Sequence, residues 1–111
     1  MDLKESDWKV FRKLRELALE RFCEQVLSEV KNLASNPSDT PHDCYLAIYK
    51  MIHQRNKEMA EAFDGLSRSR AWLQIVSIQK HKLLTEEEMR QFSPEMVESV
   101  NRFFNDPNAM S

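Results

Sequence analysis

Apolar residues recur at helical spacing along the first third of the chain. Wound at about 100° per residue, Trp8, Phe11, Ala18, Leu19, Phe22, Val26, Val30 and Leu33 make one continuous stripe. Lys13, Glu20, Glu24 and Lys31 fall on the opposite face. The pattern predicts an amphipathic helix, capped by Ser6 or Asp7 and running to about Ala34. Arg12 and Glu16 stand four residues apart, the spacing of a helix-stabilising pair. Val10, Leu14 and Leu17 lie off the main stripe on a second, smaller apolar patch. That patch is either a flank covered by a neighbouring helix or a contact for another chain.

The loop Ser35-Asn36-Pro37-Ser38-Asp39 ends this helix. Thr40 is a good N-cap, and Pro41 suits the first helical position, where its missing N–H is not needed. A second helix is expected over 41–63, with Tyr45, Ile48, Tyr49, Ile52, Met59 and Phe63 as its core stripe. The loop is short, so the two helices should form an antiparallel hairpin. Asn56 falls inside the stripe and is expected as a buried amide, satisfied by Gln74 or a tyrosine hydroxyl. Gly65, the one glycine of the chain, stands where a left-handed residue closes a helix, with Leu66 expected to fold back as its apolar contact.

The stretch 66–84 is apolar over most of its circumference from Ala71 to Ile78, which marks a central helix with neighbours on several sides. Ser67 or Ser69 caps it and it should run to about Lys82. Arg70, Gln74, Ser77 and His81 form its one narrow polar strip. Thr85 with Glu88 three residues later is a capping box for a short fourth helix ending near Phe92. Ser93 and Pro94 open a fifth, carrying Met96, Val97, Val100, Phe103 and Phe104, which stops at Asn105-Asp106-Pro107. The fold expected is therefore an all-α bundle of about five helices in one domain spanning 1–111. It has a long α-hairpin, a central third helix, two short C-terminal helices, and frayed ends at 1–6 and 106–111.

Composition agrees with this. One Gly and four Pro in 111 residues leave little material for long loops or an all-β fold. The N-terminus is polar and mixed in charge, unlike a signal peptide, and no apolar run approaches a membrane span. A cytoplasmic setting is expected, the two Cys lacking any disulfide or zinc spacing. Charge is unevenly distributed. The net charge is −2 overall, yet residues 66–82 carry four basic groups and no acidic one, while residues 83–111 carry six acidic against two basic. Helix-dipole effects on Lys80, His81 and Lys82, and the acidic segments on either side, give this bias a structural cause.

Chemistry-bearing constellations are sparse. His42, Asp43 and Cys44 are adjacent on a helix and so point about 100° apart, which prevents them from converging on one ion. Cys23 and Cys44 are offset by roughly 10 Å in the expected hairpin, too far for a disulfide. Glu16, Glu20 and Glu24 form an exposed row, and Glu86 to Glu88 belong to a helix cap, so no carboxylate sits in a cleft suited to acid–base work. With one Gly there is no phosphate-cradling loop. No catalysis, metal or cofactor is expected.

Partner binding is the function these features favour. Apolar helical surface exceeds what a two-layer packing needs at Val10/Leu14/Leu17, at Met51 and at Phe103/Phe104. The expectation is a small interaction module that self-associates as a homodimer. Its candidate contacts are Val10, Leu14 and Leu17 and the strip Arg70, Gln74, Ser77 and His81. The alternative is a helical nucleic-acid-binding regulator contacting phosphates through Arg68, Arg70, Lys80 and Lys82, against the repulsion of the acidic flanks.

Overall fold

The computed structural model describes residues 3–106. Among them the chain forms α1 (Glu5–Ala34), α2 (Pro41–Phe63), α3 (Arg68–Lys80), α4 (Glu86–Met89) and α5 (Pro94–Asn105), with no strand. The capping chemistry explains most boundaries. Thr40 Oγ1 accepts the Asp43 N–H at 3.1 Å, with Pro41 at the first position of α2. Thr85 and Glu88 exchange the two bonds of a capping box. Ser93 Oγ accepts the Met96 N–H at 3.3 Å ahead of Pro94. Gly65 takes the left-handed conformation, with φ of 69°.

The start of α1 differs from expectation. Lys4 takes the N-cap position without a side-chain bond, and neither Ser6 nor Asp7 caps the helix. Asp7 is buried and serves α5 instead. Its Oδ1 accepts the Ser93 N–H and its Oδ2 the Ser93 hydroxyl, both at 2.7 Å. Residues 3–6 are tied down rather than frayed. Leu3 is buried, Arg68 donates to its carbonyl at 3.2 Å, and Lys4 pairs with Glu95 at 2.7 Å. The fraying expected at 1–2 and 107–111 lies outside the described residues.

α3 is the central element. Ala71, Ile75, Val76 and Ile78 are buried among Phe11, Leu14, Ala18 and Phe22 of α1, Ala62 and Phe63 of α2, and Leu83, Leu84, Met89, Phe92, Met96 and Val100 from the C-terminal third. Phe22 joins three helices, meeting the rings of Phe63 at 5.9 Å and His81 at 5.5 Å, both edge-on. α3 stops two residues earlier than expected. The Lys82 N–H bonds the Gln79 carbonyl at 2.9 Å and the Leu83 N–H reaches back to Ile78 at 3.3 Å, which closes the helix with Lys82 at φ 55°. A left-handed lysine costs about 1–2 kcal/mol. Satisfying two orphan carbonyls and turning Leu83 into the core offset that cost.

The third layer covers only part of the hairpin. α1 has 30 residues and so extends about 45 Å, whereas the 13 residues of α3 reach about 20 Å. α3 begins near Leu3 and Glu5 and ends at Phe22 and Gln25, where the Gln25 side chain bonds the His81 carbonyl. Past that point α1 and α2 continue as a two-helix arm, in a molecule measuring 51 × 30 × 25 Å. Several positions expected in the core are therefore open. Tyr45 and Tyr49 are each 66% exposed, Ile48 and Ile52 are half-buried, and Asn56 is exposed rather than a buried amide. Leu66 is also exposed and does not fold back onto α2.

Candidate functional site

The contacts expected from sequence are dispersed by the fold. Leu14 is a core residue and cannot meet another chain, Val10 is half-buried, and only Leu17 of that trio is exposed. Gln74 is 1% exposed and works inside the molecule. Its Nε2 donates to the carbonyls of Asp64 at 2.7 Å and Gly65 at 3.0 Å, capping the C-terminal end of α2. Ser77 is half-buried, and so is His81, edge-on to Phe22. The polar strip thus faces the α1–α2 hairpin, and Arg70 alone of its members is exposed. The outward face of α3 carries Ser69, Leu73 and Lys80 instead.

Arg68, Arg70, Lys80 and Lys82 do not form one surface. Arg68 pairs with Glu5 at 3.0 Å and donates to the Leu3 carbonyl. Lys80 and Lys82 stand at the other end of a 13-residue helix, about 20 Å away. A nucleic-acid backbone would meet two separate clusters with an apolar helix between them.

What the fold gathers is the two-helix arm. Leu27, Tyr45, Leu46 and Tyr49 are exposed there, Leu27 at 65%. Tyr45 and Tyr49 share a face with Ile52 by their i, i+4, i+7 spacing, and the Tyr49 ring stacks on His53 at 6.5 Å with planes 7° apart. Half-buried Val30, Ile48 and Ile52 lie in the same stretch of arm. Between α1 and α2 runs a groove of about 670 Å³ lined by Leu33, Ala47 and Met51 among polar residues. Arg55 locks the arm by pairing with Glu29 of α1 and with Glu58 at 2.7 Å. The tyrosine stripe was visible in the sequence; its exposure was not, because periodicity shows which face is apolar and not what covers it.

From the stretch backed by α3 to the base of the arm, the hairpin carries acidic side chains on one edge and lysines with a histidine on the other. Exposed Glu16, Glu20 and Glu24 run along α1, and exposed Lys50, His53 and Lys57 share a face of α2. The 35–40 loop and the bond from Arg15 to the Phe63 carbonyl set the antiparallel register. That register brings Glu20 to about the height of Lys57 and Glu24 to that of His53.

Away from the arm, a two-pronged ion pair fixes α4. Arg21 forks onto Glu88 at 2.6 and 3.0 Å and also donates to the Leu83 carbonyl at 2.8 Å. The Arg21 guanidinium first, then the Thr85 backbone N–H, lower the Glu88 carboxyl from 4.5 to about 2. A depressed carboxylate stabilises the fold above its unfolded value and loses that contribution as pH falls through its folded value. Stability should therefore hold above about pH 4.5 and decline toward about pH 2 by about 1–3 kcal/mol, allowing for solvent screening. In urea titrations across this range, Arg21→Ala should remove most of the decline; an unchanged slope would show that other carboxylates govern it.

Among the described residues no three His, Cys, Asp or Glu side chains come together as a metal site, and no helix is long and apolar enough to cross a membrane. The chain matches no protein-family model, no curated protein and no solved structure.

Proposed function

We propose that this protein is a non-catalytic, self-associating interaction module that pairs with a second copy through the two-helix arm. The observation that carries this reading is the cluster of Leu27, Tyr45, Leu46 and Tyr49 on a segment with no third layer. An exposed apolar patch on paired helices resembles half of a four-helix bundle. The charged edges favour a second copy as the occupant. A two-fold axis running along the arm keeps heights unchanged and exchanges the helices. It therefore lays the Glu20/Glu24 edge of one copy against the His53/Lys57 edge of the other, twice. A reducing cytoplasm is the setting that suits Cys23 and Cys44, which are half-buried free thiols.

Light scattering coupled to size exclusion tests this. The expected mass is twice 13.2 kDa. Tyr49→Glu and Leu27→Glu should each give a folded monomer, while Leu73→Glu, on the outward face of α3, should remain dimeric. Glu20→Lys and Lys57→Glu should each weaken the dimer, and the double exchange should restore it. A wild-type chain that stays monomeric at high concentration, or a dimer indifferent to Tyr49→Glu, would sink the proposal.

A further inference from the structure

Arginine in this fold is mostly matched to carboxylates. Arg21, Arg55, Arg68, Arg90 and Arg102 each form an ion pair. The other three, Arg12, Arg15 and Arg70, meet at one place, the turn 64–66 between α2 and α3. Arg15 donates to the Phe63 carbonyl and lies 5.9 Å from the centre of its ring, and its buried Nε has no acceptor. Arg70 lies against the turn itself, with a terminal nitrogen 3.2 Å from where a Cβ on Gly65 would stand. Arg12 lines a groove of about 380 Å³ together with Lys9, Lys13, Arg15, Glu16 and Leu66. Four cations and one acid thus form its walls, and half-exposed Leu66 presents an apolar contact among them.

The cause lies in the helix lengths. α2 ends at Phe63, level with Arg15, so the N-terminal part of α1 loses its neighbour on that side. Lys9 and Lys13 stand one helical turn apart with Arg12 beside them. Among the described residues none of the three forms an ion pair, and Glu16 is the one carboxylate that shares the groove with them. Four cations against one carboxylate leave an excess of like charge, and a bound anion relieves that repulsion.

We propose that this groove docks an acidic segment of a partner protein, with carboxylates on Lys9, Arg12 and Lys13 and an apolar side chain against Leu66. A peptide fits better than a nucleic acid on two grounds. Leu66 offers an apolar contact within the ring of cations, which a peptide side chain can fill. The chain as a whole carries −2, so the rest of it is net acidic and repels a polyanion that runs on past the groove, whereas a short acidic segment confined to the groove avoids that repulsion.

The test is fluorescence anisotropy with a fluorescein-labelled oligoglutamate peptide bearing a single central leucine, titrated with the full chain at several NaCl concentrations. Binding should weaken steadily with salt. Arg12→Glu/Lys13→Glu should reduce affinity on the order of tenfold or more. The neutral Lys9→Gln/Lys13→Gln should reduce it less, and Lys80→Glu/Lys82→Glu, outside the groove, should leave it unchanged. Leu66→Ser should weaken the leucine peptide but not an all-glutamate one. Circular dichroism melts should match wild type for the neutral variant, whose side chains are exposed, so its binding result stands even if charge reversal perturbs folding. Tyr49→Glu should still bind the peptide, which separates this groove from the arm. No salt-sensitive binding, or wild-type affinity in both groove variants, would overturn the proposal. So would tighter binding of a fluorescein-labelled single-stranded oligonucleotide of equal charge that is lost in the same variants, since the groove would then serve nucleic acid.

Discussion

Replacing Phe22 with alanine should remove about 3–5 kcal/mol of folding stability, read as a lower urea midpoint with little change in slope. Phe22 is 0% exposed and its ring meets one ring from α2 and one from the end of α3. The loss combines the transfer free energy of a buried aromatic, a cavity at a three-helix junction, and two edge-on ring contacts. The ring packs at the end of the three-layered part of the molecule, where few further side chains stand ready to fill the cavity. A domain of this size has about 5–15 kcal/mol in all, so the variant should be partly unfolded on mild warming. Leu27→Ala, on an exposed side chain of the same helix, should change monomer stability by no more than about 0.5 kcal/mol. A Phe22→Ala midpoint within error of wild type would mean that the junction repacks, and that α3 is not anchored there.

Asp7→Ala should be the second most damaging change, at about 2–4 kcal/mol in the same titration. Asp7 is 3% exposed and accepts both the N–H and the hydroxyl of Ser93. Removing the carboxylate strands two donors beside the N-terminus of α5, where a negative charge is also favoured by the helix dipole. Asp7→Asn keeps one acceptor and loses the charge, so it should cost roughly half as much. Hydrogen exchange should show α5 opening first in both variants, because the Asp7–Ser93 bonds join it to α1 across 86 positions of sequence. Equal effects in the alanine and asparagine variants would show that side-chain packing, not the hydrogen bonds, holds this junction.

The two proposed surfaces have a common origin. α1 is longer than either of the helices packed on it, and each overhang leaves something uncovered. At one end the overhang is the arm, with its tyrosines and leucines. At the other it is the basic groove beside Leu66. Neither is a special motif; both follow from helices of 30, 23 and 13 residues sharing one core.

Most of the fold can be read from local signals. The stripe from Phe11 to Leu33, the Thr40-Pro41 start, the Gly65 turn, the Thr85–Glu88 box and the Ser93-Pro94 start each lie within a few residues of the structure they produce. Capping bonds and helical periodicity are short-range, so one stretch of sequence contains both partners. The identity of the exposed residues is not of this kind. Gln74 reads as one member of a narrow polar strip because its role, capping α2, depends on carbonyls 9 and 10 positions back in the chain. Asp7 reads as a cap for its own helix, yet its partner is Ser93. Tyr45, Tyr49 and Asn56 read as core because the wheel places them on the apolar side.

The sequence by itself determined the number and order of the helices, the starts of α2, α4 and α5, and which face of each is apolar. Only the tertiary structure decided how far α3 reaches along the hairpin. Burial depends on what lies opposite a face, and that is set by the summed lengths and crossings of distant segments. The same stripe on α1 is therefore core at Phe22 and only half-buried at Val26, Val30 and Leu33 along the arm.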